Sequence, residues 1–225
     1  VNGVVRSLPA DRGADVPLRD LIRGMRAIAL NRRLLLLILI NLGVTANFVG
    51  LLTWTPSFLH DQRGTSLAVA AYLTAGLGVA QILGNIGGAA AMARWGKPFV
   101  LAAGMIVLVV SVSLIPFIPW VAVVLVCVVV AGFLTMALFP PVLGSIPEIV
   151  PHLEQVCPAG GFVNLVSPVS TLLAPWLFGV LLDAHGTGKG QPGYLWGYEL
   201  LGLFALAGAT AGVVYAVSGR RRRRP

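Results

Sequence analysis

The chain alternates between long apolar stretches and short polar connections. Each stretch is bounded by charged residues, Gly or Pro, and there are six of them, at residues 34–58, 67–93, 99–116, 120–143, 161–182 and 194–217. A helix of about 20 apolar residues crosses the roughly 30 Å hydrocarbon core of a bilayer. The stretches are continuously apolar rather than alternating, which favours helices over the strands of a barrel. The sequence therefore predicts an all-α integral membrane protein with a six-transmembrane-helix bundle over residues 34–217.

The composition excludes a soluble fold. Hydrophobic residues make up 57% of the 225 residues and charged residues only 11%, with a mean hydropathy of +0.88. Soluble domains contain roughly 25% charged residues. The two cysteines, Cys127 and Cys157, provide neither a disulfide framework nor a metal-ligand cluster. We interpret both as free thiols.

The positive charges predict the orientation in the membrane. Of the sixteen Lys and Arg residues, seven precede the first span, two lie between the second and third spans, and five follow the sixth. These fourteen fall on one side, which leaves only Arg63 and Lys189 on the other. Because cytoplasmic loops are enriched in Lys and Arg, both termini are predicted to be cytoplasmic, in a plasma (inner) membrane.

The segments that flank the bundle are basic. Residues 1–33 form a predicted cytoplasmic linker, in which residues 16–30 are amphipathic and either lie on an anionic leaflet or form a solvated linker helix. Residues 218–225 form an Arg-rich cytoplasmic tail. This tail is a topology anchor, a lipid-headgroup contact or a nucleic-acid tail, and we favour the anchor because it directly follows a span. We expect a lipid bilayer as partner and no nucleic acid.

The groups that membrane enzymes need are missing from the spans. The three histidines, His60, His152 and His185, are predicted to lie in connections. Ser145 lacks the glycine that completes a nucleophile elbow. Glu199 is the only acidic residue within the six stretches, and it lies within about two helical turns of the outer end of the sixth stretch, where that stretch begins. We therefore predict no enzyme activity, no catalytic residue, no metal and no cofactor.

Four fragments, taken in order, resemble the carboxyl-terminal half of a major facilitator superfamily transporter. Residues 54–59 (WTPSFL) resemble the outer end of the family's seventh helix. Residues 88–97 (GAAAMARWGK) resemble a second copy of its G-x-x-x-D-R-x-G-R loop, with Ala93 at the position of the acid. Residues 140–151 (PPVLGSIPEIVP) resemble the end of the tenth helix, and residues 174–183 (APWLFGVLLD) that of the eleventh.

This resemblance, which covers about residues 16–218, implies a fold and a function. A whole transporter of this family has twelve helices in two six-helix bundles, which rock against each other about a midplane site. The chain resembles the second bundle, and it begins with Val rather than Met. We therefore expect it to be a fragment whose partners are a small-molecule solute and either an amino-terminal six-helix bundle in the same chain or a second copy.

Polar side chains at mid-span are the candidates for solute binding. Asn41, Thr45 and Phe48 share one helix face, with Asn47 turned away. The first two are the leading candidates, and each polar residue can instead make an interhelical hydrogen bond. The complete set of candidates for this role is Asn41, Thr45, Phe48, Gln81, Asn85, Thr135, Asn164 and Ser167. Such a site suits an uncharged or amphiphilic solute, or an anion whose charge partner lies in the other bundle.

Charged residues in the connections are candidates for gating. We predict this role for Arg94, Lys97 and Glu148, with an ion pair between Arg94 and Glu148 as the specific hypothesis. The alternative is two unrelated solvated charges. Two other functions stay open at this point: a self-contained six-helix protein that dimerises into a pore or transporter, and a non-transporting membrane scaffold.

Overall fold

A computed structural model of the chain describes residues 31–150 and 155–221, in which seven α-helices are found. They are α1 (Arg32–Arg63), α2 (Leu67–Trp95), α3 (Lys97–Leu114), α4 (Val121–Ala137), α5 (Phe139–Ser145), α6 (Val156–His185) and α7 (Gly193–Arg221). Short 3-10 turns follow α3 at Ile115–Phe117 and α5 at Ile146–Glu148. The predicted amphipathic helix at residues 16–30, His152 and residues 222–225 lie outside the described residues.

Six helical segments are long and apolar enough to cross a membrane, with α4 and α5 counted as one. Each predicted stretch corresponds to one of these segments, so the predicted all-α bundle is confirmed. Helices α1, α2, α6 and α7 extend beyond the apolar stretches. At α1, Asn31 accepts a hydrogen bond from the backbone N–H of Arg33, and Gly64 closes the helix at φ +68°. His60 and His185 therefore lie in last helical turns rather than in connections.

The predicted fourth span is divided in the structure. α4 ends at Ala137 and α5 begins at Phe139, with Leu138 as the junction. Pro140 and Pro141 follow directly and have no backbone N–H, so they cannot donate to the carbonyl groups one turn earlier. The fourth predicted span is therefore formed by two successive helices, α4 and α5.

Helix α1 lies at the centre of the bundle. It packs against α2, α4, α6 and α7, and it has the largest buried share of all the spans. The other large interfaces join α3 to α7 and α2 to α4. Helices α2 and α6 flank α1 and are the least buried spans. The bundle thus has a well-packed side and a side on which α2 and α6 are largely uncovered.

The contact between α2 and α4 depends on glycine. A Cβ atom at Gly84 would collide with the carbonyl oxygen of Phe133, and one at Gly88 with the carbonyl oxygen of Ala137. Backbone atoms cannot move aside as a flexible side chain would. The missing Cβ atoms therefore set how closely α2 approaches α4, which is the usual role of small residues between membrane helices.

Replacing Gly88 should destabilise the bundle, because the new Cβ atom must push α2 away from α4. We expect G88A to lower the free energy of unfolding by about 1–3 kcal/mol, measured by thermal unfolding in detergent. The matched control is G76A on the same helix, where a Cβ atom meets nothing within 4 Å. Equal effects of the two substitutions would contradict the close α2–α4 contact.

Candidate functional site

The middle of α1 is joined to α6 by hydrogen bonds between polar side chains. The side-chain amide of Asn41 donates to the carbonyl oxygen of Val163 at 3.1 Å and to the hydroxyl of Ser167 at 2.9 Å. The hydroxyl of Thr45 contacts that of Ser170. We call Asn41, Thr45, Ser167 and Ser170 the polar seam. Three of them, all except Ser167, are buried.

The two leading candidates thus lie on one face of α1, as predicted. Both make the interhelical hydrogen bonds that were the alternative to solute binding. Asn47 is turned away from the polar seam, and its amide donates to the carbonyl oxygen of Leu201 in α7 at 3.0 Å. Two asparagine side chains on different faces of α1 therefore attach it to two different helices, α6 and α7.

One acceptor in the polar seam has no partner. The Oδ1 atom of Asn41 is buried and, among the described residues, nothing donates a hydrogen bond to it. An unpaired buried acceptor costs about 1–3 kcal/mol. A hydroxyl or amide N–H brought to this atom would therefore be stabilised there.

Helix α6 carries two internal prolines next to the polar seam. Pro168 and Pro175 cannot donate to the carbonyl oxygens of Asn164 and Thr171, respectively. The carbonyl of Pro175 itself accepts a hydrogen bond from the indole N–H of Trp54, at 3.2 Å. In α6 the carbonyl oxygens of Asn164 and Thr171 therefore lack their regular helical donor near the polar seam.

The other solute-binding candidates do not take part in the hydrogen bonds of the polar seam. Thr135 is fully buried, and its hydroxyl donates to the carbonyl of Gly132 in its own helix at 2.7 Å. Phe48 and Asn164 are half-buried, Gln81 is buried and Asn85 is exposed. Within the described part of the chain, the side-chain amides of Gln81, Asn85 and Asn164 make no hydrogen bond. These three amides lie on α2 and α6, the largely uncovered helices.

At the end of the bundle where α1 and α3 begin, which we call the basic end, a lysine pairs with an acid. The ammonium of Lys97 lies 2.6 Å from the Oε1 atom of Glu148 and donates to the carbonyl oxygen of Gly144 at 2.6 Å. This joins the start of α3 to the end of α5. The structure therefore differs from the expected Arg94–Glu148 pair. Arg94 is exposed, and its guanidinium lies 6.0 Å from the centre of the Trp95 ring.

The register of α3 explains the difference. Lys97 is the first residue of α3, whereas Arg94 belongs to the last turn of α2. Gly96, at φ +82°, turns the chain between the two helices. The side chain of Lys97 therefore reaches α5, whereas that of Arg94 does not. Whether this pair acts in gating stays a prediction.

The opposite end holds contacts that sequence reasoning did not identify. The last turn of α1 makes three connections, which we call the outer clamp. Asp61 accepts a hydrogen bond from the Tyr194 hydroxyl at 2.6 Å, and the Gln62 amide donates to the carbonyl oxygens of Thr187 and Gly188. The Arg63 guanidinium donates to the carbonyl oxygens of Pro116 and Ile118. The only available signal was three consecutive polar residues at the end of an apolar run.

Aromatic rings fill the space beneath the outer clamp. Phe58 packs edge-on against Tyr194 and Tyr198, and Phe178 stacks on Trp54 with ring centres 5.2 Å apart. The Arg63 guanidinium lies 4.9 Å from the centre of the Phe58 ring. The rings come from α1, α6 and α7, so this end of the bundle is fastened by apolar packing as well as by hydrogen bonds.

The fold and the polar seam define an integral membrane protein with buried polar side chains that join its helices. In the described residues, no group of three or more His, Cys, Asp or Glu side chains could hold a metal ion. A family model described as Major Facilitator Superfamily matches residues 37–225. The chain therefore belongs to the Major Facilitator Superfamily, whose members transport small solutes across membranes. A search of curated proteins found no match.

The Lys97–Glu148 contact should give a small but measurable coupling energy. Both groups are partly exposed, so we expect about 0.2–1 kcal/mol from a double-mutant cycle with K97Q and E148Q, read by thermal unfolding. A second cycle, with R94Q in place of K97Q, serves as the control and should give no coupling. Coupling of Glu148 to Arg94 instead of Lys97 would contradict the structure.

Proposed function

We propose that this six-helix bundle is one half of a secondary transporter and moves a small solute by alternating access against a second six-helix bundle. Membership of the Major Facilitator Superfamily supports transport as the activity. The buried, unpartnered Oδ1 atom of Asn41 beside the proline-containing α6 is the observation that carries the location of the site. The second bundle belongs either to the same polypeptide or to a second copy.

The solute that fits this half of the site is uncharged and rich in hydrogen-bonding groups. The groups available to it are neutral: the Asn41 Oδ1 atom, the carbonyl groups that Pro168 and Pro175 leave unpaired, and the amides of Gln81 and Asn164. Ionisable side chains are absent from the six stretches except at Glu199, Cys127 and the tyrosines. An anion would therefore need its positive partner from the second bundle.

We propose that the two ends of the bundle have different roles in the transport cycle. The outer clamp fastens α1 to α7, to the connection between α6 and α7 and to the 3-10 turn after α3, so this end moves as one unit. Among the described residues, the ion pair at the basic end is Lys97–Glu148, which is partly exposed and worth at most about 1 kcal/mol. A contact of that strength can break and re-form within a cycle, which suits a latch. By the distribution of positive charge, the basic end faces the cytoplasm.

Solute binding should depend on the amides that have no partner in the bundle. A panel of uncharged polyols, sugars and neutral amino-acid amides is screened by thermal shift on the protein extracted from its native membrane. For the solute that stabilises it, Q81A and N164A should each weaken binding by about tenfold, the cost of about one hydrogen bond. Neither substitution removes a hydrogen bond from the bundle, so folding is retained.

The control for this experiment is T210V. The Thr210 hydroxyl is exposed and bonded to the carbonyl oxygen of Ala207 in its own helix, so this substitution should leave binding unchanged. Binding that survives both Q81A and N164A would contradict the proposed site. A shift produced only by small carboxylate anions would contradict the proposal of a neutral solute.

A further inference from the structure

A groove opens on the surface at the basic end, between the start of α1, the start of α3 and the end of α7. It consists of two adjoining cavities of about 660 and 640 Å³. They share Arg33, Glu148, Val213 and Val217 in their walls. Each volume falls in the range of about 300–1,000 Å³ that is typical of small-molecule sites. The groove lies at the opposite end of α1 from the outer clamp and is distinct from the polar seam.

The mouth of the groove is positively charged. Its described walls contain three cationic side chains, Arg32, Arg33 and Lys97, and one anionic side chain, Glu148. Lys97 is neutralised by Glu148 at 2.6 Å. Arg33 is half-buried and uses one nitrogen to donate to the carbonyl oxygen of Ser218 at 3.1 Å. A guanidinium has five N–H donors, and no other described residue accepts a hydrogen bond from the Arg33 side chain. The excess charge of the groove is therefore carried by the two arginines.

The floor of the groove is apolar and continues along the bundle. Phe99 and Ala102 on α3 face Val213 and Val217 on α7 across it. Beyond the groove, both helices carry exposed apolar residues in the same helical register, namely Ile106 and Val110 on α3 and Leu203 and Leu206 on α7. A free inorganic anion has no apolar part that could contact these apolar residues. A molecule with an anionic head and a long apolar tail matches both parts.

We propose that this groove binds an anionic phospholipid, with its phosphate group at Arg32 and Arg33 and an acyl chain along the α3–α7 surface. Basic pockets between membrane helices on the cytoplasmic side are suited to such headgroups. Trp95 and Tyr215 line the same cavity, and these are the aromatic residues that prefer the level of the headgroups. The lipid joins α1, α3 and α7 at the end of the bundle that lacks the outer clamp.

The test is a lipid titration of the purified full-length chain in neutral detergent, with bound lipid counted by native mass spectrometry. The probes are phosphatidylglycerol and phosphatidylcholine with identical acyl chains. We expect at least tenfold tighter binding of phosphatidylglycerol, since each cationic side chain contributes about fivefold. R32Q and R33Q should each lower its affinity by about fivefold, and R33K should retain most of it.

Two further variants distinguish specific binding of the lipid in the groove from general electrostatic attraction. R94Q removes an exposed positive charge at the same end but outside the groove, and it should leave phosphatidylglycerol binding unchanged. E148Q removes the acid from the groove and should strengthen binding several-fold. A variant that merely unfolds the protein cannot produce this increase.

Three results would overturn the proposal. The first is equal binding of phosphatidylglycerol and phosphatidylcholine. This includes the case in which neither lipid binds because other residues of the chain occupy the groove. The second is a loss in R94Q as large as that in R33Q, which would indicate unspecific attraction. The third is complete displacement of the lipid by excess inorganic phosphate, which would indicate an anion site without a contribution from the acyl chain.

Discussion

Hydrogen bonds from polar side chains of α1 to its neighbours are the interaction on which the rest of the bundle depends. In hydrocarbon, apolar side chains gain little by leaving lipid for protein, so helix association rests on close packing and on polar contacts. Asn41 attaches α1 to α6 and Asn47 attaches it to α7. Both amides are fully buried. Helix α1 is therefore fixed between these two helices at mid-depth, and its last turn is joined through the outer clamp to α7 and to the connection between α6 and α7.

The two ends of the bundle are held together by contacts of different strength, and this difference has a mechanical consequence. The outer clamp has several hydrogen bonds above a cluster of packed aromatic rings, whereas the contacts at the basic end, among the described residues, are the partly exposed Lys97–Glu148 ion pair and the hydrogen bond from Arg33 to the carbonyl oxygen of Ser218. A bundle built in this way resists separation at one end and permits small rearrangements at the other. A phospholipid in the groove at the basic end would add a contact there that depends on the surrounding membrane, so the looser end would respond to lipid composition.

The spans and the shared face of Asn41 and Thr45 could be predicted from the sequence because both follow from local periodicity and from the thickness of the bilayer. The partner of Glu148 could not be predicted from the sequence, because it depends on how Gly96 turns the chain between α2 and α3. The outer clamp was likewise missed because Asp61, Gln62 and Arg63 have no distinctive spacing. Their partners lie between 53 and 133 residues away in the chain, so only the packed helices bring them together.

Whether this bundle works against a second bundle of six helices can be decided by the mass of the intact particle extracted from its native membrane. The 225-residue chain has a mass of 23.6 kDa. We expect a protein particle of at least about twice that mass, either one longer polypeptide or two copies, in which a solute is bound. A particle of 23.6 kDa that binds and transports a solute by itself would contradict this expectation.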